Sequence, residues 1–199
     1  MRITMITILI FLYQTITFAT GFFVPIEPIN NVLGDISFME EYNTTPTVQT
    51  DENLRISTHL AFVEVYLKGQ ATQHLTADQK ANRVKMIALL HKYRLKQQFP
   101  KNNYFDERTS VFIDKDKNIC AVGYLVQQTA GNVVAEKINS RYKFASIYDM
   151  QMPELEKWIM NSGLSKDECA MIQPTYGGGN IIVPPNPRRP RTTAGLFPM

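Results

Sequence analysis

The residue best placed for chemistry in this 199-residue sequence is Cys120, which follows a short polar turn. We predict a helix beginning there, and the dipole and free amides at a helix N-terminus would lower the thiol pKa and stabilise an oxyanion. A thiol nucleophile also needs a base, and the sequence offers His59, His74 and His91. This pattern allows a thiol-dependent enzyme, of the hydrolase or acyl-transfer type, with Cys120 as nucleophile and His91 as base.

The surroundings of both residues favour a structural role over a catalytic one. Cys120 precedes the run Ala-Val-Gly-Tyr-Leu, which suits a buried segment better than an exposed nucleophile. His91 lies on an apolar face of a predicted helix, where a core histidine with one hydrogen bond is the commoner finding. We therefore favour a non-enzymatic protein, and the thiol enzyme is the alternative hypothesis.

Cys120 and Cys169 are the two cysteines of the chain. In an oxidising compartment they would form one disulfide, closing a loop of about 50 residues and stabilising the fold by roughly 3–4 kcal/mol. Free cysteines, however, are among the most buried residues of proteins. The sequence leaves both the disulfide and a pair of buried thiols open.

Asp114, Asp116 and Asn118 have the spacing that opens a calcium-binding loop. The sixth position of that loop is Ile119 instead of glycine, and the twelfth is Leu125 instead of a bidentate glutamate. Asp and Asn side chains also bond their own backbone in tight turns, which explains the pattern equally well. We predict a turn here and expect neither a metal nor a cofactor.

The N-terminus has the pattern of an export signal. Arg2 precedes an apolar stretch over residues 3–19, and Thr17 and Ala19 are small residues at the −3 and −1 positions of a cleavage site. Several threonines interrupt the stretch, whereas a spanning helix needs about 20 mostly apolar residues. We predict a cleavable signal peptide over residues 1–19, with a retained membrane anchor as the alternative. The protein is then secreted or resides in the periplasm or cell envelope.

The net charge of +3 is too small for a nucleic-acid-binding surface, which would concentrate Lys and Arg. We expect a protein or envelope ligand as partner, no nucleic acid, and membrane contact through the signal segment alone, if it is retained.

The remaining chain divides into three parts. Residues 20–50 lack hydrophobic periodicity and predict a flexible linker, residues 51–176 predict a helical domain, and residues 177–199 predict a disordered Gly/Pro/Arg tail. Capping boxes at residues 76–79 and 165–168 predict two helix starts. The helix from Thr76 to about Gln97 has two apolar faces, which predicts a central, buried position. Residues 119–128 are ambiguous, and we favour a helix over a strand.

These elements predict a mainly α fold. We expect a compact bundle of about five helices with a small two-stranded β element, in which residues 111–114 pair with residues 144–149.

Several short motifs between residues 58 and 176 resemble a family of exported bacterial proteins that has no assigned activity. The motifs are Phe99-Pro100-x-Asn102, Phe112-Ile113-Asp114, Cys120-Ala121-Val122-Gly123-Tyr124-Leu125, Ser162-Gly163-Leu164 and Ile172-Gln173-Pro174-x-Tyr176. The resemblance implies a signal peptide followed by a single domain, and it assigns no catalytic residue. We therefore expect an exported binding or structural protein with an unknown ligand.

Overall fold

A computed structural model describes residues 26–178. The predicted signal peptide and residues 179–199 of the predicted tail lie outside the described residues. The described part is mainly helical, as predicted, with seven α-helices instead of about five. They are α1 (Ile36–Tyr42), α2 (Glu52–Gly69), α3 (Ala77–Lys96), α4 (Ala121–Ala130), α5 (Asn132–Tyr142), α6 (Pro153–Ser162) and α7 (Lys166–Ile172). Within this range, no helix is both long and apolar enough to cross a bilayer.

Helix α2 begins and packs as its sequence predicts. The Asp51 carboxylate accepts a hydrogen bond from the Leu54 amide at 2.7 Å, which satisfies one of the unpaired amides of the first turn. The predicted apolar stripe of α2 is buried; it consists of Ile56, Leu60, Val63 and Leu67. This stripe makes α2 one wall of the hydrophobic core.

Helix α3 starts at the predicted capping box, in which Thr76 and Gln79 exchange both hydrogen bonds. Helix α3 packs against α2, α4 and α6, but only one of its two apolar faces is buried. Val84 and Leu95 are 69 % and 63 % exposed, and the opposite face, with Met86 and Leu90, is buried. The neighbouring helices of α3 cover that one face, so its second apolar face meets solvent, which is common for single apolar residues.

The turn before Cys120 forms, but the predicted two-stranded element does not. Ile113 and Ile119 pair as an isolated antiparallel bridge, and the structure assigns no strand within residues 26–178. Residues 144–149 instead end in a 3-10 turn, Ile147–Asp149. The Gln173 side chain accepts a hydrogen bond from the Ile147 amide at 2.8 Å. This side chain, and not a neighbouring strand, therefore satisfies the Ile147 amide.

Residues 121–128 are helical, as we favoured, and belong to α4, which starts directly after Cys120 and ends at Ala130, before Gly131. Gly131 has a φ of 94°, a conformation that glycine adopts without a steric penalty.

Arg83 of α3 binds groups of three other helices, near the C-terminal end of α2. Its guanidinium donates to the Leu67 carbonyl of α2 and to the Gly163 carbonyl after α6, each at 2.9 Å. It also forms a bidentate pair with Glu168 of α7, at 2.6 and 2.8 Å. Gly163 approaches α3 so closely that a Cβ atom there would lie 2.1 Å from the Gln79 carbonyl oxygen. A glycine is therefore required where α6 meets α3.

The predicted linker over residues 20–50 differs from the structure for the part that is described. Ile29 and Asn30 are fully buried, and α1 packs against α2. The Asn30 amide donates to three carbonyls at the end of α7, those of Ala170, Met171 and Gln173. The segment is ordered because it satisfies backbone groups of a helix that lies 140 residues later in the chain.

His59 gives the fold a dependence on pH. Its ring lies fully buried on α2, and Nε2 is 2.8 Å from the Met171 carbonyl, so the neutral ring donates from Nε2. Burial lowers its pKa from 6.5 to about 4. As the pH falls from 6.5 towards 4, His59 therefore becomes protonated in the unfolded chain but stays neutral in the folded chain.

We predict that His59 removes about 3 kcal/mol of folding stability between pH 7 and pH 4. Urea denaturation of wild type and of His59→Gln at several pH values measures this share. The variant should lose correspondingly less stability over that range. Equal losses in both proteins would show that His59 is not buried in its neutral form.

Candidate functional site

Cys120 is a buried residue rather than an exposed nucleophile. It caps α4, and its Sγ accepts a hydrogen bond from the Gly123 amide at 3.2 Å. The side chain is 1 % exposed, and burial raises its pKa to about 12, although the amides of the helix start act in the opposite direction. The thiol therefore stays protonated at neutral pH, because desolvation outweighs the helix N-terminus.

Two buried tyrosines occupy the space beside Cys120. The Tyr93 hydroxyl donates to the Ile119 carbonyl at 2.8 Å, and the Tyr176 hydroxyl lies against Tyr93 and Cys120 without a hydrogen bond of ordinary geometry. Burial raises the pKa of both phenols well above 10. This cluster is polar but closed to solvent, and it stabilises the centre of the fold.

The structure does not bring His91 to Cys120. His91 lies on α3 with its side chain half exposed, and its Nδ1 is 2.9 Å from the buried Glu64 carboxylate. Arg94 donates to the same carboxylate from Nε at 2.7 Å. Because a carboxylate oxygen only accepts hydrogen bonds, His91 donates to Glu64 from Nδ1. Glu64 therefore serves as the shared partner of two surface side chains.

Of the two possibilities that the sequence leaves open for the cysteines, the disulfide is absent, since both cysteines are free. Cys169 is fully buried on α7, and burial raises its pKa. The Sγ of Cys120 is turned towards the first turn of its own helix, where it caps α4. Both residues act as small apolar core residues, which is the other of the two readings that the sequence leaves open.

Asp114 organises a turn, as predicted, and its carboxylate is fully occupied. One oxygen accepts from the amides of Asp116 and Asn118, both at 2.8 Å. The other accepts from the Lys101 amide and the Asn118 side chain. Within residues 26–178, no group of three metal-ligating side chains comes together.

A concave surface lies between α1 and α2, and its α1 side belongs to the segment that the sequence predicts as a linker. This α1–α2 groove has a volume of about 610 Å³, within the range of small-molecule sites. Its apolar lining consists of Tyr42, Leu54, Ala61, Phe62, Val65 and Tyr66. Phe38 and Tyr42 form an aromatic pair at i and i+4, and this spacing is a sequence signal that could have indicated α1. The two rings pack with centroids 4.5 Å apart.

Two hydroxyl groups of this groove have no hydrogen-bond partner. Ser37 and Ser57 line the groove, and their buried Oγ atoms are unpaired. A buried hydroxyl without a partner costs about 1–3 kcal/mol. Glu40 and Glu41 lie on the α1 side of the groove, and Arg94 lines it from α3. The groove thus combines an apolar surface with two lining residues whose buried hydroxyls are unpaired.

A second groove, of about 360 Å³, lies between α3 and α6 and lacks such groups. Its Trp158 donates to the Thr129 hydroxyl at 2.8 Å, and Ser162 donates to the Ile159 carbonyl at 2.7 Å. Because the polar atoms on its floor are already paired, the α1–α2 groove is the better candidate for a binding site.

Comparisons of the chain with protein-family models, curated proteins and solved structures found no match.

We predict that both cysteines resist alkylation in the folded protein. With iodoacetamide at pH 7.5, mass spectrometry should find no adduct on the native protein within minutes. In urea without reductant, two adducts should form, because burial protects the thiols and no disulfide blocks them. Rapid single labelling of native Cys120 would contradict its buried position. Labelling in urea that requires reductant would show that the two cysteines form a disulfide.

Proposed function

We propose that this protein is an exported, non-catalytic binding protein of the cell envelope or extracellular space. Its ligand is a small amphiphile that occupies the α1–α2 groove. The observation that carries the proposal is that Ser37 and Ser57, whose hydroxyls have no hydrogen-bond partner, line an apolar groove of suitable volume. The leader pattern and the motifs that resemble exported proteins support export.

The charges around the groove narrow the class of ligand. Glu40 and Glu41 would repel an anionic head group, whereas the charge of Arg94 is already balanced by Glu64. The two serine hydroxyls both donate and accept hydrogen bonds. An apolar molecule with an uncharged alcohol, amide or ester group would satisfy these hydroxyls and cover the apolar lining.

The thiol chemistry considered from the sequence has less support than binding. Cys120 is protonated and closed to solvent, and the base considered for it is engaged with Glu64. A ligand in the α1–α2 groove requires no reactive group from the protein, because burial of apolar surface and two hydrogen bonds provide the affinity.

We predict that filling the groove abolishes binding of an apolar probe. In Ala61→Trp, an indole would occupy the space between α1 and α2, so the fluorescence rise of N-phenyl-1-naphthylamine on titration with protein should disappear. The wild-type rise should be reversed by 1-decanol, which competes for the groove.

Val133→Trp is the matched control, because Val133 is 82 % exposed on α5 and does not line the groove. This variant should bind the probe like wild type, and circular dichroism should show that both variants are folded. Equal probe binding by the two tryptophan variants would refute the groove as the binding site.

We predict that the serines trade stability for binding. Ser37→Ala and Ser57→Ala should each raise the free energy of unfolding of the free protein by about 1 kcal/mol, because an unpaired buried hydroxyl is removed. The same variants should require more 1-decanol to displace the probe. Urea denaturation and displacement titrations measure the two effects. A loss of stability without a change in displacement would show that the serines serve the fold.

A further inference from the structure

Three aromatic side chains that contact one another form a partly exposed patch. In this aromatic patch (Tyr104, Phe105 and Phe144), each residue is more than a third exposed. Phe144 makes edge-to-face contacts with Tyr104 and Phe105, with ring centroids 4.9 and 5.0 Å apart. Lys143 lies over the Tyr104 ring at 4.4 Å and donates to its hydroxyl. Contiguous apolar surface of this kind commonly marks a site of interaction.

The loop that carries two of these rings is fixed by a buried side chain. Asn102 is 1 % exposed, and its carbonyl oxygen accepts from the amides of Tyr104 and Phe105, both at 3.1 Å. Its amide nitrogen donates to the carbonyls of Phe105 and Glu107, at 3.1 and 2.8 Å. The patch is therefore preformed, which lowers the entropic cost of covering it.

The same loop receives the end of the described chain. Asn102 and Gly178 form a parallel bridge, and the Asn102 amide also approaches the Tyr176 carbonyl at 3.4 Å. A Cβ atom on Gly178 would lie 2.8 Å from the carbonyl oxygen of Phe105 and 2.1 Å from that of Asp106. The segment that follows Gly178 therefore starts directly beside the aromatic patch.

We propose that the aromatic patch binds the chain's own C-terminal segment, residues 181–185, with the sequence Ile-Ile-Val-Pro-Pro. Residues 179–187 carry no charged side chain, and the three arginines of the tail come later. Aliphatic and proline side chains pack well on aromatic surfaces, as proline-rich ligands do in aromatic-lined grooves. The contact closes the exposed aromatic surface from within the same molecule.

The short tether favours this contact over binding from another molecule. Ile181 is three residues after Gly178, so it lies within roughly 10 Å of that residue. A short tether gives an effective concentration in the millimolar range, so at about 1 mM a contact with a Kd of about 1 mM would be occupied about half of the time.

Methyl NMR of the full chain tests this proposal. Methyl protons of Ile181, Ile182 and Val183 should be shifted upfield relative to a synthetic peptide of residues 179–199, because they lie against aromatic rings. Phe144→Leu should return these shifts towards the peptide values. Phe105→Leu is the second variant if Phe144→Leu does not fold, since both side chains are partly exposed.

Tyr42→Leu is the control, because Tyr42 is a comparably exposed aromatic residue of the α1–α2 groove. It should leave the tail methyl shifts unchanged. The proposal is overturned if the full-chain shifts equal those of the peptide, or if Tyr42→Leu changes them and the patch variants do not. Shifts that vary with protein concentration would also overturn it, because the tail would then contact a second copy.

Discussion

Arg55 holds the N-terminal segment on helix α2 through a buried, bidentate ion pair with Asp35. Its Nε and Nη2 each lie 2.7 Å from a carboxylate oxygen, and Nη2 also donates to the Glu27 carbonyl at 2.6 Å. Because Arg55 is only 3 % exposed, breaking the pair would leave a buried charge unpaired, at a cost of about 3–5 kcal/mol. The α1 wall of the proposed binding groove depends on this contact, since α1 has only seven residues and would not be stable alone.

The same arrangement recurs at the opposite end of the bundle, where Arg83 pairs with Glu168. In both cases a buried arginine on the α2–α3 pair binds a carboxylate from a segment remote in sequence, and it also satisfies backbone carbonyls. Between these two fixed ends, the central polar groups, Cys120 among them, are closed to solvent. Among residues 26–178, Ser37 and Ser57 are the groove-lining residues whose buried hydroxyls have no partner. The proposed binding function rests on this distribution.

Local signals predicted much of the fold, and contacts between remote residues explain the errors. The capping boxes at Thr76 and Ser165 each involve residues three positions apart, so the sequence displays them directly. The order of α1 instead depends on Arg55, 20 residues from Asp35, and on Asn30, 140 residues from the carbonyl that it caps. No periodicity shows such pairs, so the segment resembled a linker and the groove was missed with it. The apolar run after Cys120 correctly predicted that this residue is buried. The sequence could not show the partner of His91, because Glu64 lies on another helix.

The proposed binding site requires that α1 stays packed against α2, because the groove exists only between these two helices. Native-state hydrogen exchange at the α1 amides tests it most directly. The Met39 and Asn43 amides donate to the carbonyls of Asp35 and Met39, at 3.1 and 2.9 Å. We predict that both amides exchange much more slowly than in the unfolded chain. Exchange at the rate of an unstructured peptide, while the α2 amides stay protected, would contradict it.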